Sequence, residues 1–89
     1  MRITLTIDGS VLDYKKEKVK VEVSGNTVGE CLNRLAKRRP SLKKAIFDEK
    51  GGLGLGNLVK VNGEYISSNH LVKSVKDGDQ IEIIKYTGV

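Results

Sequence analysis

The run RITLTI at residues 2–7 alternates, with Ile3, Leu5 and Ile7 on one side and Arg2, Thr4 and Thr6 on the other. A period of two is the signature of a half-buried strand. KVKVEV at 18–23 repeats the pattern, with Val19, Val21 and Val23 inward and Lys18, Lys20 and Glu22 outward. The two runs read as a hairpin with a long, polar connection. The period then changes. Thr27 and Glu30 form a T-x-x-E helix start, and Val28, Leu32, Leu35 and Ala36 recur at helical spacing with Cys31 beside them. Lys37, Arg38 and Arg39 crowd the expected last turn, where cations suit the helix dipole, and Pro40 ends the helix. SLKKAIFDE can add one or two further turns. NLVKVNGEYI carries Asn62-Gly63, a two-residue hairpin turn, and QIEIIKY at 80–86 is a last strand, with Ile81 and Ile83 on one face and Glu82, Ile84 and Tyr86 on the other.

The order is therefore strand, strand, helix, strand, short strand, strand. Two strand groups separated by one helix predict an α+β domain in which the helix covers one face of a mixed sheet of four to five strands. With the first and last strands side by side in the middle, this is a ubiquitin-like β-grasp. Residues 1–89 are expected to form one such domain with a flexible C-terminal tail at 86–89.

Composition narrows the function classes. The chain is 38% hydrophobic and 30% charged, which suits a globular domain and not a disordered one. No apolar run approaches the ~20 residues of a membrane span. The alternating start is not a signal-peptide core, so the expected compartment is the cytoplasm. A single cysteine excludes a disulfide framework or a Cys-rich metal site within the chain, and the lone His70 has no ligating companion. The net charge of +5 attracts acidic partners. Nucleic acid is disfavoured among them, because Phe47, Tyr14, Tyr65 and Tyr86 form no aromatic platform for bases.

TVGECLNRLAKRRPSLKKAIFDEKG, VKVNGEYI and VKDGDQIEIIKYTGV, in that order, resemble the MoaD/ThiS group of small sulfur carriers over nearly the whole chain. The resemblance implies a protein that is not an enzyme and binds no cofactor of its own. In that group a ubiquitin-activating-type enzyme uses ATP to adenylate the C-terminal carboxylate, sulfur replaces AMP, and the tail delivers sulfur to a synthase subunit in molybdopterin- or thiamine-type cofactor biosynthesis. The group ends in Gly-Gly. Here the corresponding residues are Gly88 and Val89. A β-branched residue is stiff and bulky beside the carboxylate. Three readings stand: Val89 is activated in a tolerant system; the fold persists without carrier chemistry; or the chain is a non-catalytic binding or regulatory module whose tail only docks.

Alternation also sets Leu58, Ile84 and Tyr86 opposite the core face. With Lys60 and Lys85 at their rim they make a candidate partner-binding patch beside the tail. GGLGLG lacks the strand, helix and Lys-Ser/Thr context of a nucleotide loop and reads as a flexible connector. Cys31 reads as a small buried hydrophobe, and Asp77 and Asp79 as turn residues around Gly78.

Overall fold

A computed structural model describes residues 2–8, 11, 18–54, 56–66 and 68–85. The alternating runs become β1 (Ile3–Ile7) and β2 (Val19–Val23), paired antiparallel with Ile3 opposite Val23 and Ile7 opposite Val19. The hairpin at Asn62-Gly63 joins β3 (Asn57–Val61) to β4 (Glu64–Tyr65). Both turn residues have positive φ, 51° and 84°, as a two-residue turn matching strand twist requires. β5 (Gln80–Lys85) runs parallel to β1 and antiparallel to β3. The sheet order is β2-β1-β5-β3-β4, a β-grasp with β1 and β5 adjacent as expected, and parallel.

Helix α1 (Val28–Arg38) lies on one face. Its Thr27 hydroxyl accepts the Glu30 N–H at 3.1 Å, the first half of the predicted cap. The Glu30 carboxylate faces Arg34 at 3.5 Å instead of turning back on the cap. Val28, Cys31, Leu32, Leu35 and Ala36 are buried, meeting Ile3, Leu5, Ile7, Val59, Ile81 and Ile83 from the sheet. After Arg39 a 3-10 turn (Pro40–Leu42) leads into the short helix α2 (Lys43–Ile46).

Two segments carry structure that no period in the sequence announces. The glycine-rich stretch is more than a connector over its described part. Asp48 Oδ1 accepts the N–H groups of Lys50 and Gly52, both at 2.9 Å, Phe47 bridges Leu53, and Gly54 N–H donates to the Ile46 carbonyl at 2.8 Å. The buried Asn57 amide then donates to the carbonyls of Ala45 and Ile46 at 2.9 and 3.2 Å. These bonds satisfy the carbonyls at the end of α2, which a helix cannot satisfy internally. The second segment, SSNHLVKSV, has no period, yet it forms a 3-10 turn (His70–Val72) and a bridge between Ser74 and Thr27. Gly29 makes room for it: a Cβ there would lie 2.7 Å from the Leu71 carbonyl oxygen.

Candidate functional site

The sheet face turned away from α1 is ordered by register. Leu58 stands directly opposite Ile84, and Lys60 opposite both Glu82 on β5 and Tyr65 on β4. Leu58 and Ile84, placed together by the sequence pattern alone, are thus immediate cross-strand neighbours, each half-buried. Such a pair is the unit of sheet stabilisation, but here it has no covering layer among the described residues. Tyr65 extends the apolar surface. It is 61% exposed, and Lys60 Nζ sits 4.9 Å from its ring centroid, within cation–π range. Sequence reasoning passed over Tyr65 because β4 is too short to show a period. Only its pairing with Lys60 assigns its face.

Lys85 occupies a different position from the one expected. Its partner on β3 is Asn57, whose side chain is buried on the α2 side. The alternation that places Ile81 and Ile83 inward carries Lys85 to that side too, so Lys60 alone of the two lysines shares the face of Leu58 and Ile84. Tyr86, Gly88 and Val89, with the rest of the 86–89 tail, lie outside the described residues. The sheet holds the chain as far as Lys85: β5 is bonded to β1 on one side and to β3 on the other, and Asp8 N–H donates to the Ile83 carbonyl at 2.9 Å.

The remaining candidates resolve as structural groups. Cys31 is fully buried. Burial lifts its thiol above the usual value, with the Glu30 charge adding to the effect, so thiolate chemistry is suppressed there. His70 is half-buried in its 3-10 turn, and among the described residues no cluster of His, Cys, Asp or Glu could hold a metal ion. No helix among them is long and apolar enough to cross a membrane.

Asp77 and Asp79 are turn residues that also clasp the sheet. Asp77 Oδ1 accepts the Arg2 N–H at 2.7 Å. Asp79 accepts the Asn62 side-chain amide at 3.0 Å and the Lys76 N–H at 2.9 Å, while Asn62 Oδ1 accepts the Gln80 N–H. The β3-β4 turn is thereby tied to the start of β5. The Asn62 bond, followed by the Lys76 N–H, lowers the Asp79 pKa below its ordinary 3.8. A carboxyl with a depressed folded-state pKa contributes its full stabilisation above the unfolded value and loses it as pH falls through the folded one. Stability measured by urea unfolding should therefore decline as pH drops below 3.8, and Asp79→Asn should flatten that decline. An equal slope in both proteins would exclude Asp79 as its source.

Comparison with known proteins agrees with this architecture. The sequence pattern of the ThiS family matches residues 6–88. No curated protein matches the chain. Among solved structures, SAMP1 from Haloferax volcanii is 23% identical, with a TM-score of 0.75, over 100% of this chain and 99% of its own. The Amycolatopsis orientalis BexX/CysO complex contains a chain 26% identical, with a TM-score of 0.71, over 96% of this chain and 98% of that one. The complex of subunits 1 and 2 of molybdopterin-converting factor from Helicobacter pylori 26695 contains one 21% identical, with a TM-score of 0.56, over 96% and 93%.

Proposed function

The chain belongs to the ThiS family, and on that premise we propose that it is a sulfur carrier, activated at the carboxylate of Val89 by an adenylating enzyme. The observation that carries this reading is the placement of β5. The strand leading to the tail lies inside the sheet, held by β1 as far as Ile83 and by β3 as far as Lys85. It presents Ile84, with Leu58, on the uncovered face just before residues 86–89. A fixed base next to an apolar docking face is what presenting a carboxyl group to another enzyme requires, since positioning accounts for much of the rate of such a step.

In the proposed reaction a Val89 carboxylate oxygen attacks the α-phosphorus of ATP on the partner, and pyrophosphate leaves. Hydrosulfide then attacks the acyl carbon through its sulfur, AMP departs with the bonding electrons, and loss of the S–H proton leaves a thiocarboxylate. The chain contributes the carboxyl group and the docking face, and the partner contributes the nucleotide site. The sulfur would pass to a synthase subunit, as in molybdopterin- or thiamine-type biosynthesis. The H. pylori complex, in which a structurally similar subunit pairs with a second one, and the BexX/CysO complex support a protein partner for this chain as well.

The direct test is intact mass after incubation with ATP, a sulfur donor and the cognate activating enzyme. The expected product is heavier by one sulfur less one oxygen. An unchanged mass with an enzyme proven active on another carrier would refute the assignment and leave the binding-module reading.

The docking face has its own test. Ile84→Glu places a charge opposite Leu58 on the half-buried face, outside the core. It should fold, and bind the activating enzyme about 10- to 100-fold more weakly, the loss typical of a central apolar contact. If calorimetry showed the variant unfolded, Ile84 would be a core residue; if binding were unchanged, the partner would use another face.

A further inference from the structure

The positive charge of this chain is concentrated. Between residues 31 and 47 the sequence holds Arg34, Lys37, Arg38, Arg39, Lys43 and Lys44 and no Asp or Glu, and all of these cations are exposed. The helix dipole accounts for Lys37 and Arg38 in the last turn of α1. It does not account for Arg34, a turn earlier, or for Arg2 at the start of β1. Yet Arg2, Arg34, Lys37 and Arg38 converge. With Glu22, Val23 and Ser24 they line one open cleft of about 530 Å³ between β2 and α1.

Two of the guanidinium groups are oriented by uncharged acceptors. Arg34 Nη1 donates to the Ser24 hydroxyl oxygen at 2.6 Å, and Arg38 Nη2 donates to the Glu22 carbonyl at 2.9 Å. Among the described residues the acids nearby are Glu22, 3.3 Å from Arg2 Nε, and Glu30, 3.5 Å from Arg34 Nη2. Both pairs are exposed, so both are weak and readily exchanged. The cleft therefore keeps cations in excess over acids. Among the described residues β2 is also an edge strand, paired with β1 alone in the sheet, and such an edge can receive an extended segment.

We propose that this cleft docks an acidic, extended segment of a partner protein. Planar guanidinium forks held in advance match carboxylates bidentately. Among the described residues the lining contains no aromatic side chain on which a base could stack, which favours an acidic polypeptide over nucleic acid. The location adds a functional consequence. β1 and β5 are parallel, and Gly78 N–H donates to the Arg2 carbonyl, so Arg2 lies at the beginning of β5 while the tail follows its end. At about 3.3 Å per residue the length of β5 alone puts roughly 17 Å between the two. A partner can hold the cleft while the tail is engaged elsewhere.

The test uses the full chain and a fluorescein-labelled oligo-glutamate peptide, read by anisotropy at low and high salt. The expected result is salt-sensitive binding that Arg34→Glu with Lys37→Glu weakens at least about tenfold, while Lys50→Glu with Lys73→Glu, an equal charge change outside the cleft, weakens it less than about twofold. Thermal unfolding checks that each variant folds. If the Arg34 variant does not, Lys37→Glu alone is compared with Lys50→Glu, since Lys37 is exposed. The proposal fails if the peptide does not bind at low salt or if both reversals weaken it equally. It also fails if an oligo-dT of matched charge binds more tightly than the peptide and is lost with the same cleft variant, which would assign the cleft to nucleic acid.

Discussion

Deletion of Gly88 and Val89 will abolish ATP–pyrophosphate exchange by the cognate activating enzyme and leave the unfolding transition of the protein unchanged. The second half of this expectation follows from the sheet. Among the described residues its pairing runs as far as Lys85, opposite Asn57, and every fully buried residue of β5 lies before that point. The first half follows from reach. Removing two residues withdraws the terminal carboxylate by roughly 6–7 Å along an extended chain, whereas a misplacement of about 1 Å can already cost a factor of about 100 in a positioned reaction. Exchange should fall to background. Exchange at the native rate would show that the tail is not the activated group, and undiminished affinity for a partner alongside it would favour a binding module.

Leu35→Ala will destabilise the fold by about 2–5 kcal/mol, the range for truncating a fully buried leucine. Leu35 is 1% exposed on the face of α1 that packs on the sheet. The loss combines the transfer free energy of the removed methyl groups with a cavity that the neighbouring helix and strands can only partly close. Domains are stable by roughly 0.05–0.15 kcal/mol per residue, so a chain of 89 residues could lose half of its stability by this one change. Urea unfolding should show an earlier midpoint with an unchanged slope, while Asn33→Ala, exposed on the same helix, should stay within about 0.5 kcal/mol of the native protein. A loss below about 1 kcal/mol for Leu35→Ala would mean that the helix is not packed as the structure has it.

Much of this fold was legible in the sequence because its local and tertiary requirements coincide. Ile3, Leu5 and Ile7 alternate because one face of β1 is buried; Val28, Leu32 and Leu35 recur at helical spacing because one side of α1 covers that face; Asn62-Gly63 turns the chain because its residues tolerate positive φ. Each is a pattern within a few residues, set by backbone geometry. The same alternation separated Leu58 and Ile84 from the core before their pairing was known.

What tertiary structure decided were relations between distant segments that leave no period. The direct opposition of Leu58 and Ile84, the place of Tyr65 on their face and of Lys85 off it, all depend on strand register, which two separate runs do not specify. The glycine-rich stretch looked like a connector because the carbonyls it satisfies belong to α2. The turn at His70 is held by a helix more than forty positions earlier, through the space left at Gly29. Arg2 and Arg34 are both visible as charges in the sequence, but only the packing of β2 against α1 brings them to one cleft. Burial and cross-strand hydrogen bonding act through space, so a sequence records which residues can take part and the folded chain decides which of them meet.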